Sequence, residues 1–245
     1  MKFSIGCMSI LVGLFLFTPF GFAGEYQITP PPDWVTPHRF EDPAEIPEAA
    51  LSNGTYFLLV DSQAHPTSVG GEFYKHFAEK IVNPGGIDAL SQVLITFDPS
   101  YQSLAVHRIA IHRNGKILDR LDPEKISLLQ REEALEARIY DGSKTFTLIL
   151  DDLRVGDILE YSFTLRGANP VFGGRYYRDI GTQWRVPVHR FRHRLLWPKD
   201  RPIHIKHHGR EIAGRTREID GMKEYLFSGD HLPAIIPDSD LPPWY

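Results

Sequence analysis

Residues 103–121 read SLAVHRIAIHRNGKILDRL, and their pattern decides the fold class. The β-prone run from Ser103 to His112 leads into Asn114-Gly115, a dipeptide whose tolerance of positive φ suits a two-residue type I′ turn. That turn matches the twist of paired strands, so residues 105–121 are expected to form a hairpin. Downstream, TFTLILDDLRVGDILEYSFTL at 145–165 makes the case twice more. Phe146, Leu148 and Leu150 alternate with Thr145 and Thr147, and Leu159, Tyr161, Phe163 and Leu165 alternate with Glu160, Ser162 and Thr164. Successive side chains of a strand face opposite ways, so each run predicts a strand with one buried face.

Further β-prone runs occupy Thr55–Val60, Leu90–Phe97, Tyr176–Val186, Val188–Trp197, Ile203–His207, Glu211–Ile219 and Lys223–Phe227, with Pro, Gly or Asp between them. Short, evenly spaced strands of this kind predict an all-β fold, here an antiparallel two-sheet β-sandwich over residues 54–245. Phe73, Phe77 and Ile81 are four apart, which would suit a helix, but Gly70-Gly71 and Pro84-Gly85-Gly86 bound the segment and favour a strand. Glu132–Ala137 is the other place for a short helix. Asn169-Pro170 and Gly173-Gly174 turn residues 167–174 into a loop. With 42% hydrophobic residues in 245, the chain can bury a real core.

The N-terminus has its own character. Lys2, the apolar run Ile10–Phe17 and the small residues of Gly21-Phe22-Ala23 predict a secretory signal peptide over 1–23, cleaved after Ala23. The alternative is an uncleaved membrane anchor, since Ile5–Phe22 is barely long enough to cross ~30 Å of hydrocarbon. Export implies a periplasmic or secreted protein, with no membrane association after cleavage. Residues 24–53 read as a proline-rich extended arm, with six prolines between Glu25 and Ala50, pinned to the body by Trp34 and Phe40. Cys7, the only cysteine, falls in the predicted signal, so the mature chain would have no disulfide, thiolate site or cysteine nucleophile. The net charge of −4 gives no overall attraction to nucleic acid.

Few residues advertise chemistry. On Val188–Trp197, Arg190, Arg192 and Arg194 share one face, opposite His189, Phe191, His193 and Leu195. Three guanidiniums in a row suit an anionic glycan, lipid head group or acidic peptide; the alternative is pairing with Asp or Glu on a neighbouring strand. Asn169 and Phe172, in a loop on a rigid scaffold, are the other candidate contacts. His204 and His208 would share a face while His207 points away, which leaves that cluster a ligand short, and Asp230, Asp238 and Asp240 lie in no loop with the spacing of a calcium motif, so no metal or cofactor is expected. Glu132, Glu133 and Glu136 have no spacing that would set an acid and a base across a sugar. Gly-x-Ser-x-Gly, His-Glu-x-x-His and phosphate-binding glycine loops are all absent, so no catalytic residue is named.

Three blocks together carry a resemblance: ITFDPSYQSLAVHRIAIHRNGKILDRL at 95–121, LLQREEALEARIYDGSKTFTLILDDLRVGDILEYSFTLRGANPVFGG at 128–174 and WRVPVHRFRHRLLWP at 184–198. In this order they resemble the bacterial domain-of-unknown-function-3857 family. The resemblance implies an exported β-sandwich that usually precedes a transglutaminase-like domain with a Cys-His-Asp triad, a domain expected to be missing here. The function so implied is a binding or accessory module for an anionic cell-envelope ligand or a separately encoded transglutaminase-like partner. The alternatives are an envelope hydrolase using serine, carboxylates or a histidine-bound metal, and a truncated portion of a transglutaminase-like protein.

Overall fold

A computed structural model describes residues 26–47, 51, 53–67, 70–130, 142–208 and 211–235. The predicted signal peptide, the 132–137 helix with its three glutamates, and Asp238 and Asp240 lie outside them. Twelve strands are described: β1 (Tyr26–Ile28), β2 (Thr55–Thr67), β3 (Gly70–Ile81), β4 (Gln92–Phe97), β5 (Gln102–Arg113), β6 (Lys116–Asp119), β7 (Ile126–Gln130), β8 (Lys144–Ile149), β9 (Ile158–Gly167), β10 (Val188–Pro198), β11 (Gly214–Ile219) and β12 (Met222–Leu232). They form two sheets. The larger runs β1-β5-β9-β3-β2-β10-β12-β11, with β6 paired to β5, and the smaller runs β4-β8-β7. Most pairs are antiparallel, as expected of the sandwich, but β10 pairs parallel to β2 and β1 parallel to β5.

The decisive hairpin forms as its turn chemistry dictates. Asn114 and Gly115 both hold positive φ, and Arg113 pairs with Lys116 across them. Asp220-Gly221 repeats the device between β11 and β12. The alternating segments at 145–165 are both strands, yet they belong to different sheets, so the turn between them is the corner of the sandwich. Phe146 and Leu148 of β8 and Val93, Ile95 and Phe97 of β4 meet Leu104, Val106 and Ile109 of β5 and Leu159 and Phe163 of β9 in the main core. Phe73, Phe77 and Ile81 lie on a strand, β3, as the flanking glycines favoured. The one described α-helix, Pro84–Ala89, was not anticipated; Asn83 caps it by accepting from the Gly85 amide at 3.0 Å.

Two expected strands are absent: the described residues 176–186 and 203–207 are irregular. The small sheet covers only the β5-β9-β3 end of the large one, so the core face of β2, β10 and β12 needs another lid. Tyr176, Ile180, Trp184, Ile203 and Ile212 supply it, packing on Phe73, Phe191, Leu195 and Trp197. Residues 176–186 thus put their apolar side chains on the sheet face as a covering segment and pair with no described strand.

The opposite face of the large sheet sets charged groups beside an apolar cluster that includes Leu59, Ala78 and Ile158, and the N-terminal segment lies across it with Phe40 and Ile46 on that cluster. β1 hydrogen-bonds to the β5 edge, Trp34 packs against His65 with the rings tilted at 52° and its indole donating to Glu72, and Phe40 meets His112 edge-on at 5.0 Å. This cover explains why β2 is buried on both sides, with Asp61 and Gln63 fully buried beside Leu58 and Leu59.

Candidate functional site

The arginine stripe sits on this covered face, and each guanidinium meets a carboxylate. Arg190 donates to Asp230 at 3.0 Å and to Glu41 at 3.5 Å. Arg192 reaches Asp61 at 3.0 Å, and Arg194 reaches Glu224, which also takes Arg217. The backbone of Trp34 and Thr36 closes the network: Gln63 both accepts from the Thr36 amide at 3.0 Å and donates to its carbonyl at 2.7 Å, and Arg194 donates to the Trp34 carbonyl at 2.8 Å. Farther along the same face, Glu160 receives His76, Arg108 and His112 within 3.0 Å. Burial pushes the Glu160 carboxyl up, but the hydrogen bonds from His76 and His112, with Arg108 adding another, outweigh it and hold the group at about 2.

The other two candidate residues lie elsewhere. Asn169 caps the turn Pro170–Phe172, its side chain accepting from the Val171 amide at 3.0 Å, and Gly173 and Gly174 follow in left-handed conformation. The turn lifts Phe172 beside Tyr177, with rings 5.6 Å apart, and leaves Tyr177 67% and Val171 83% exposed. Together with Arg175, Arg178, Arg201 and Tyr101 these residues frame an open cleft of about 570 Å³ at one end of the large sheet. Arg178 stacks on Phe73 at 3.9 Å, and Arg201 lies over Trp197 at 5.1 Å and donates to the Gly174 carbonyl at 3.4 Å. Among the described residues no carboxylate lies within ion-pair distance of any of these three arginines, and Asp179 is the one acidic residue in the lining.

The structure therefore brings Asn169 and Phe172 into one site and keeps Arg190, Arg192 and Arg194 out of it. Arg175, Arg178 and Arg201 were not singled out from the sequence. Arg178 falls in a segment read there as a strand and Arg175 just before it, and Arg201 joins them because β10 runs parallel to β2 toward the same end. Among the described residues one serine–histidine pair is present: Ser62 Oγ lies 2.8 Å from His193 Nδ1. Both are buried, and burial followed by the nearby Arg178 charge holds the imidazole down at about 4. No described carboxylate orients this ring, which stacks on Phe227 instead. His204, His207 and His208 converge on no metal-binding group among the described residues.

A sandwich with a small sheet on one end of a large one, edged by these loops, also matches a known sequence family. The profile of DUF3857, a domain of unknown function with a solved structure, covers residues 68–236. The chain belongs to the DUF3857 family. Among solved structures, a candidate protease from Parabacteroides distasonis superposes with a TM-score of 0.67 over 79% of this chain at 16% identity. That likeness is one of fold, and the DUF3857 chain spans 38% of the other protein's length. Yeast LTA4 hydrolase in complex with bestatin matches with a TM-score of 0.34, at 13% identity over 78% of this chain and 32% of that one. No curated protein matches the DUF3857 chain in sequence.

Proposed function

We propose that this DUF3857 domain is a binding or accessory module of the cell envelope, and that the cleft framed by residues 168–179 and Arg201 is its contact surface. The observation that carries the reading is the contrast between its two arginine sets. Those on β10 are consumed by internal carboxylates, whereas those of the cleft share its lining with the exposed Phe172 and Tyr177 and have no carboxylate partner among the described residues. Loops held by a rigid sandwich are where such folds place recognition. Export is expected from the N-terminal sequence, and the occupant is an anionic envelope ligand or a separately encoded transglutaminase-like protein.

Cosedimentation of the purified chain with isolated cell-envelope fragments tests this. The wild-type chain is expected to pellet with them, and Phe172→Ala/Tyr177→Ala to stay in the supernatant with an unchanged thermal midpoint. Equal pelleting of both proteins refutes the cleft as contact surface. Substitution of Ser62 by Ala in the same assay, and in an envelope-hydrolysis assay, is expected to change nothing; loss of hydrolysis would place the Ser62–His193 pair in an enzyme.

A further inference from the structure

The cleft has features that select among anionic ligands. Its floor is closed backbone: Thr67 pairs with Gly70, and Gln102 with Gly167, so the strands that end here offer no free edge for an added peptide strand. A side chain on Gly167 would meet the Tyr101 carbonyl at 1.9 Å, which shows how tightly these strand ends are joined. The rim is different. Around Gly173 and Gly174 there is open space, and the neighbouring Tyr177 and Phe172 rings stand exposed at an interplanar angle of 36°. Such rings offer flat apolar platforms with a polar tip on the tyrosine, suited to the C–H faces of sugar rings. Arg175, Arg178 and Arg201 add planar donor forks that match carboxylates in twos.

We infer that the cleft binds a linear carbohydrate bearing carboxylate groups, its sugar rings on Phe172 and Tyr177 and its carboxylates on Arg175, Arg178 and Arg201. This rests on the reading of the cleft as the contact surface and adds the class of occupant. Charge complementarity carries the acidic part: the protein is anionic overall, so an anion is drawn to this place by the local arginines alone. The platforms and the closed strand ends carry the carbohydrate part.

Calorimetric titration of the full chain with tetragalacturonate, its fully methyl-esterified form and hexaglutamate tests the inference. The acid tetramer is expected to bind saturably, and the ester at least about tenfold more weakly, since exposed arginine–carboxylate pairs are each worth a few-fold. Arg175→Gln/Arg201→Gln and Tyr177→Ala are each expected to weaken the tetramer about tenfold without moving the thermal midpoint, the first also flattening the salt dependence. Hexaglutamate binding as tightly as the tetramer overturns the carbohydrate class in favour of an acidic peptide. Equal affinity for acid and ester overturns the charge reading. If no uronate binds while Phe172→Ala/Tyr177→Ala still abolishes envelope sedimentation, the ligand class is wrong and the contact surface stands. If neither measurement depends on the cleft, both fall.

Discussion

Replacing Glu79 with glutamine is expected to make this protein more stable at neutral and alkaline pH and to flatten its pH dependence. Glu79 sits on the core face of β3, 6% exposed, opposite Leu159, with the Tyr161 hydroxyl as its hydrogen-bonding neighbour. Burial drives its carboxyl up from an ordinary 4.5 to about 8, the tyrosine hydrogen bond offsetting only part of the effect. A carboxyl whose folded value is raised contributes its full stability below the unfolded value and loses it as pH rises through the folded one. The loss runs at about 1.4 kcal/mol per pH unit, reaching roughly 3 kcal/mol at pH 7 and about 5 kcal/mol beyond pH 8. Glutamine has the same shape, hydrogen-bonds to the same hydroxyl and does not ionise. Urea unfolding of wild type and Glu79→Gln at pH 5, 6, 7, 8 and 9 gives the comparison. The stability difference in favour of glutamine should widen steadily to about pH 8 and then level off. Parallel curves, with a constant offset across the range, would refute the reasoning, because Glu79 would then ionise in the folded protein as it does in the unfolded chain.

Three further outcomes follow from the described contacts. Arg194→Ala leaves Glu224, itself 3% exposed, with Arg217 as its remaining described ion partner and frees the Trp34 carbonyl, so chemical denaturation should show a loss of about 3 kcal/mol or more. Gly167→Ala drives a methyl group into the Tyr101 carbonyl at a φ of +130°, and a drop in thermal midpoint of at least about 5 °C is expected in a calorimetric scan. Glu160 has a depressed carboxyl, so its stabilisation is present above about pH 4.5 and fades as pH falls toward 2; Glu160→Gln should show a shallower acid-unfolding profile by circular dichroism over that window.

Much of the architecture was legible wherever the signal was local. Asn114-Gly115 fixed one hairpin, and the alternation at 145–165 fixed two strands and their buried faces, because turn chemistry and period two need no knowledge of the partner. What failed was non-local. Tyr176–Val186 is rich in strand formers, but its task is to lie over β2 and β10, and only the incomplete reach of the small sheet creates that task. The arginines of β10 were correctly placed on one face, while their neutralisation depends on Asp61, which lies 131 positions away, and on Glu224 and the arm. In the cleft, Asn169 and Phe172 could be found from turn residues; Arg175, Arg178 and Arg201 carry no such mark and converge through topology alone.

The parallel pairing of β10 with β2 has a consequence for how the chain reaches this structure. Until residue 188 onward is available, β2 has a partner on one side only, and its other edge presents unpaired amides together with Asp61 and Gln63. A ribosome releasing the chain from its N-terminus therefore exposes that edge through the synthesis of more than half the protein. Joining such distant segments makes for slow folding, and the buried Arg192–Asp61 pair can close only when β10 meets β2. A chaperone that covers strand edges would act on β2 during this interval, and a nascent chain stalled before β10 should be the form most prone to aggregate.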